Sequence, residues 1–196
     1  MLDIYARKRV SKAVDPIARV ARRIGLRPSA ITLLGFALSV VGAVLLGAGE
    51  LAWGCGTIGF GAALDVLDGV LARMTGTESK RGALLDTFTD RLGEVAMWTG
   101  LVYYLSERAE SLLTVVAVIG MAGALLIPFL RAKAESADVS GTGGLMGRAE
   151  RIIVFCVGVG LEGFGLPTME TTIWVLTALV WFTAAQRFVR TWRQIG

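Results

Sequence analysis

The chain has 196 residues, 54% of them hydrophobic, with a mean hydropathy of +0.63. Lys and Arg number 20 against 16 Asp and Glu, for a net charge of +4, and the charges gather in short clusters. This pattern excludes an ordinary soluble domain and defines a multi-pass membrane protein. Histidine is absent, so any general base is most simply a carboxylate.

In chain order, residues 1–27 are basic and amphipathic. Val10, Val14, Ile17, Ala21 and Ile24 recur at helical spacing, and Asp15-Pro16 reads as a cap followed by a first-turn proline. The segment lacks the uninterrupted apolar core of a signal peptide. It reads as a helix lying on an anionic leaflet, the alternative being a helix docked on protein. Six spans follow: Ser29 to Ala48, Leu51 to Arg73, Ala83 to Leu105, Ser111 to Ala134, Arg148 to Gly163, and Thr171 to Val189. Each is near the roughly 20 residues a bilayer requires, the fifth being the shortest. No long linker interrupts them, which predicts one domain: a surface helix over 1–27 and an all-α six-helix transmembrane bundle over 28–192.

Basic residues orient the spans. Arg73, Lys80, Arg81, Arg131, Lys133, Arg148, Arg151, Arg187, Arg190 and Arg193 fall on the side of the basic N-terminus; the opposite loops hold only Arg108. Both termini are therefore expected in the cytoplasm. Gly54, Gly56, Gly59 and Gly61, with Gly158 and Gly160, read as small residues for close helix contact. Cys55 and Cys156 read as packing residues, and Trp174, Trp181 and Trp192 include candidate interfacial anchors.

Four acids stand inside this apolar pattern. Asp65 and Asp68 are three apart and Asp86 and Asp90 four apart, so each pair shares a helix face. A polar turn from Thr75 to Arg81 lets the two helices bring all four to one level. Ionisable groups in a span usually face an interior cavity and carry function. Four carboxylates at close quarters in a low dielectric require cations to stay ionised. Hard oxygen ligands suit Mg²⁺, Mn²⁺ or Ca²⁺ rather than zinc, and a pair of such ions can clamp a phosphoryl group. Arg73 can bind phosphate oxygens, and Gly69 lets backbone approach a ligand. The rival reading is an ion path in a cation- or proton-coupled transporter, although no internal repeat is visible.

Asp65, Asp68, Gly69, Ala72, Arg73, Gly82, Asp86 and Asp90 follow the spacing D-x2-D-G-x2-A-R-x8-G-x3-D-x3-D without departure. This resembles the signature of the CDP-alcohol phosphotransferase family. The resemblance spans nearly the whole chain and implies a six-helix homodimer that moves a phosphatidyl group from a CDP-linked lipid to an alcohol and releases CMP. It implies two divalent ions, Mg²⁺ or Mn²⁺, on Asp65, Asp68, Asp86 and Asp90, with Asp90 also the base. It further implies a CDP-lipid site of Ser29, Ala30, Ile31, Thr32, Gly69, Arg73 and Ser79. Arg131 and Lys133 end the fourth span, and Arg148 and Arg151 open the fifth across a glycine-rich loop. Positive-inside bias alone would place cations there, but these four share a side with the acids and can hold an acceptor's phosphate, with Glu135 and Glu150 as pairing partners. GALLDTFTDR, with Arg91 after the last acid, and the R-A-K-A-E and R-A-E-R clusters resemble the family's inositol-phosphate branch, although Arg131 stands where lysine is expected. The alternative acceptor is glycerol 3-phosphate, whose enzymes carry a K-x-K-T pattern absent here.

Overall fold

The computed structural model describes residues 16–195, and their regular structure is entirely helical. A helical stretch over 16–23 (α1) precedes α2 (Pro28–Gly47), α3 (Leu51–Thr75), α4 (Lys80–Glu107), α5 (Ser111–Ser136), α6 (Arg148–Glu162) and α7 (Met169–Ile195). All six predicted spans are thus helices. Four of them, α2, α3, α5 and α7, are long and apolar enough to cross a membrane. The other two fall short for different reasons. The 28 residues of α4 include Asp86, Asp90, Arg91 and Glu94, which dilute its hydropathy. The 15 residues of α6 reach only about 22 Å at 1.5 Å per residue.

Pro16 opens the described part of α1; Val10, Val14 and Asp15 lie outside the described residues. The predicted apolar stripe is divided. Ala18 and Ala21 are buried against Ile31, Leu67, Val70 and Leu71, whereas Ile17, Val20 and Ile24 point outward. The alanines are small enough for α1 to lie close on α3, and the larger side chains are left for an apolar environment.

The six long helices close a ring. α2 packs on α3 and α4, α4 on α5, α5 on α7, α7 on α6, and α6 on α3. At the α2–α3 crossing, Gly35 meets Gly61 and Gly42 meets Gly54. A Cβ at Gly35 would lie 2.9 Å from the Gly61 carbonyl, and one at Gly42 2.7 Å from that of Gly54. Small residues at this spacing let backbones touch where water offers no drive to associate. Gly56 and Gly59 play no such part, because nothing lies within 4 Å of a Cβ at either; they occupy the other face of the helix.

α4 and α6 stand opposite each other in the ring and meet through side chains. Asp90, Glu94 and Trp98, at successive turns of α4, contact Arg148, Arg151 and Phe155 of α6. Trp98 and Phe155 are both almost fully buried, edge to face at 5.5 Å; such a pair adds about 0.5–1.5 kcal/mol beyond its buried area. Above this apolar rung the interior turns ionic. Because α6 starts at Arg148, on the level of Asp90, it lacks the outer turns of its neighbours. The connection from α5 runs against α7 on its way to that end. Gly143 and Gly144 take φ of +103° and +106° there, a conformation that favours glycine. α7 pins the connection: Arg187 Nε donates to Gly143 O at 2.9 Å, and Gln186 Oε1 accepts from Leu145 N at 3.0 Å.

Candidate active site

The turn between α3 and α4 sets the depth of the acids. Gly76 caps α3 in the left-handed region at φ 63°. Ser79 then caps α4, its Oγ accepting from Gly82 N at 3.0 Å. Asp65 and Asp90 each lie ten residues, about 15 Å, from that turn, and Asp68 and Asp86 about 10 Å from it. All four therefore occupy the same end of the bundle. Asp68, Asp86 and Asp90 lie within electrostatic range of Asp65, and Asp86 within range of Asp68 and Asp90. Asp68 is buried and the other three are half-buried.

Neighbouring helices supply the partners. Thr32 of α2 donates its hydroxyl to Asp68 Oδ2. One nitrogen of Arg148, Nη1, lies 3.0 Å from Asp65 Oδ2 and 2.6 Å from Asp90 Oδ1. Gly35 gives Asp65 its room, since a Cβ there would come 2.8 Å from Oδ1. Among the described residues no three acid, cysteine or histidine side chains already form a metal cage. The donor set nevertheless fits a hard divalent ion. Every donor is a carboxylate oxygen, and a cationic nitrogen already stands between two of them.

The other predicted residues surround this cluster unequally. Ser29 and Ala30 are exposed in the first turn of α2, and Ile31 is buried against α1 and α3. Gly69 leaves space that the Arg73 guanidinium borders, with Nη1 3.6 Å from where a Cβ would be. Ser79 is occupied as the α4 cap. Arg131 is exposed and paired with Glu135 at 2.8 Å, and Lys133 is exposed. Glu150 is exposed, with its carboxylate beside Gly147. Arg151 is buried and bound at both ends of its fork by Glu94, Nε to Oε1 at 2.8 Å and Nη2 to Oε2 at 3.0 Å.

Three residues that sequence reasoning did not assign to the site belong here. Glu94 holds Arg151 and also accepts from Arg91 Nη1 at 3.0 Å. Its signal was its place, four residues after Asp90 on the same face. Gly35 makes room for Asp65. Arg187 lies within electrostatic range of Arg131 and Arg151, so α5, α6 and α7 each bring a cation to one region. Arg91 Nε and Arg148 Nε are buried donors without a partner among the described residues, an arrangement that suits an anion.

A helical membrane bundle that gathers carboxylates from two helices beside arginines from a third has the makings of a phosphoryl-transfer centre. Residues 26–192 match the CDP-alcohol phosphatidyltransferase family. The chain belongs to that family and is an enzyme of its class. It is 33% identical over 193 residues to the phosphatidylinositol phosphate synthase of Corynebacterium glutamicum, covering 96% of this chain and 88% of that one. It also resembles the crystal structure of Mycobacterium tuberculosis phosphatidylinositol phosphate synthase with CDP-DAG bound. The TM-score is 0.86 at 32% identity, over 92% of this chain and 94% of the other. The same enzyme in complex with manganese and citrate gives a TM-score of 0.83 at 32% identity, over 91% and 88% of the two chains.

Proposed function

We propose that this enzyme transfers a phosphatidyl group from a CDP-linked lipid to inositol phosphate and releases CMP. The observation that carries the reading is the meeting of Asp65, Asp68, Asp86 and Asp90 with Arg148 at one end of the bundle. The relatives named above favour the inositol-phosphate acceptor over glycerol 3-phosphate and an enzyme over a transporter.

The four aspartates would hold two divalent ions, Mg²⁺ or Mn²⁺. When bound, such ions neutralise charge on the diphosphate oxygens and screen the carboxylates from one another. Asp90 takes the proton of the acceptor hydroxyl. The acceptor oxygen then bonds to the phosphorus distal to cytidine as that phosphorus loses its bond to the CMP oxygen. Ser29, Ala30, Ile31, Thr32, Gly69, Arg73 and Ser79 border the CDP-lipid, with Thr32 also orienting Asp68. Arg148 and Arg151 hold the acceptor's phosphate, with Arg131 and Lys133 nearer the mouth. All six long helices span the membrane, α1 rests on the cytoplasmic leaflet, both termini and the site face the cytoplasm, and the protein works as a homodimer.

Purified protein given CDP-diacylglycerol, Mn²⁺ or Mg²⁺ and a panel of acceptors tests this directly. CMP release should be fastest with inositol phosphate. Preference for glycerol 3-phosphate, inositol or serine would reject the acceptor, and no release with any would reject the activity.

A further inference from the structure

Glu94 is the least exposed ionisable group of the site, its side chain 1% accessible. Burying a carboxylate there is costly unless it is paired and hydrogen-bonded. It is bound by two arginines from different helices. Arg151 of α6 grips both oxygens, and Arg91 of α4 adds a third contact at 3.0 Å. Arg91 Nη2 lies 3.7 Å from Asp90 Oδ2. Glu94 therefore sits one turn below the acids and fixes two cations beside them. It also sets the register of α6 on α4, since the turn above carries Arg148 to Asp90 and the turn below carries Phe155 to Trp98. A bidentate fork to a carboxylate fixes the plane of a guanidinium as well as its position.

We propose that Glu94 is a positioning residue whose carboxylate fixes Arg151 and Arg91 in the orientation that receives the acceptor's phosphate beside Asp90. This rests on the reading of the basic side as the acceptor site. The residues proposed to border the CDP-lipid lie chiefly on α2 and α3, away from the fork. The proposal therefore separates the two substrates: loss of Glu94 should be felt by the acceptor and hardly by the lipid.

The test is a double-mutant cycle of Glu94→Gln and Arg151→Gln in the full-length protein, with KM measured for each substrate by CMP release. Each single change should raise the acceptor KM about tenfold or more, with the CDP-diacylglycerol KM within about twofold of wild type. If the two residues act as one unit, the double variant is no worse than the worse single one. A folded Glu94→Gln protein with an unchanged acceptor KM overturns the proposal, as does a double variant in which the two effects multiply. Loss of one partner leaves a buried charge uncompensated, so Glu94→Gln can fail to fold. In that case Glu94→Asp keeps the buried charge but shortens its reach to the fork, and the question stays open to measurement. A raised acceptor KM with an unchanged CDP-diacylglycerol KM in that variant supports positioning, and wild-type values for both overturn it. If inositol phosphate is not the acceptor, the cycle is run with whichever phosphorylated alcohol the wild type uses. A wild type that uses none rejects the function and this proposal together.

Discussion

Arg148 touches Asp65 and Asp90 through a single nitrogen, and a divalent ion bound to the same two carboxylates would have to share that ground. A guanidinium and an ion would repel each other there, so Arg148 would oppose metal entry until another anion takes its charge. A charge-assisted contact of this kind is worth about 1.5–3 kcal/mol, and each 1.4 kcal/mol is about tenfold in affinity. Arg148→Ala should therefore bind Mn²⁺ roughly tenfold more tightly in the absence of substrates, as read by electron paramagnetic resonance titration. Affinity equal to wild type would remove Arg148 from the ion's path. Asp90→Asn keeps the shape but removes the proposed base. CMP release should fall by about 10²–10⁴-fold, in the range general-base catalysis contributes, while the thermal midpoint shows a folded protein. Wild-type turnover in that variant would assign the proton to another group. The four acids were legible in the sequence because eight positions at fixed spacing define them. Glu94 was legible as a place on a helix but not as a function, since its partner Arg151 is 57 residues away and only folding brings them together. Arg131 and Lys133 read the same as Arg148 in sequence; their exposure distinguishes them.

At the scale of the element, hydropathy and helix signals located every long helix, to within three residues except at the end of α7, which runs six residues beyond Val189. They did not say which face of α3 meets α2, because four glycines crowd one helix and only the fold selects Gly54 and Gly61. That selection is measurable. Gly42→Ala places a Cβ 2.6 Å from Ile58 Cγ1 and 2.7 Å from the Gly54 carbonyl. Overpacking at such a contact costs about 1–3 kcal/mol. Gly56→Ala meets nothing within 4 Å and gains up to about 1 kcal/mol of helix propensity, a value measured in water that bounds the effect in a bilayer. Thermal unfolding in detergent should lower the midpoint of the first variant and leave the second equal or higher. The reverse order would contradict the observed crossing. Gly35→Ala combines both scales, since its Cβ would crowd the Gly61 carbonyl and Asp65 Oδ1 alike.

At the scale of the molecule, the question is whether α4 and α6 cross the bilayer with the other four. Their composition argues against it when averaged along the chain, but the ring separates the average into faces. On α4, Leu84, Phe88 and Leu92 recur every four residues and point outward, while Asp90 and Glu94 turn inward to Arg148 and Arg151. The charges that lower its hydropathy are thus shielded from lipid, as intramembrane ionisable groups usually are. The shortness of α6 belongs to the site, because its first turn, at the depth of Asp90, is what brings Arg148 to Asp65 and Asp90. Six crossings put the turn at Glu78 and the connection at Thr142 on one side, and the ends at Glu50, Glu107 and Glu170 on the other. Single cysteines at these five exposed positions, in a background with Cys55 and Cys156 replaced by Ala, can be labelled with a membrane-impermeant maleimide in vesicles of known orientation. Glu78→Cys and Thr142→Cys should react only from the cytoplasmic side and the other three only from the opposite side. Cytoplasmic labelling at Glu170 would mean that α6 turns back within the bilayer. Cytoplasmic labelling at Glu107 would mean the same for α4, and the aspartates would then need another route to water.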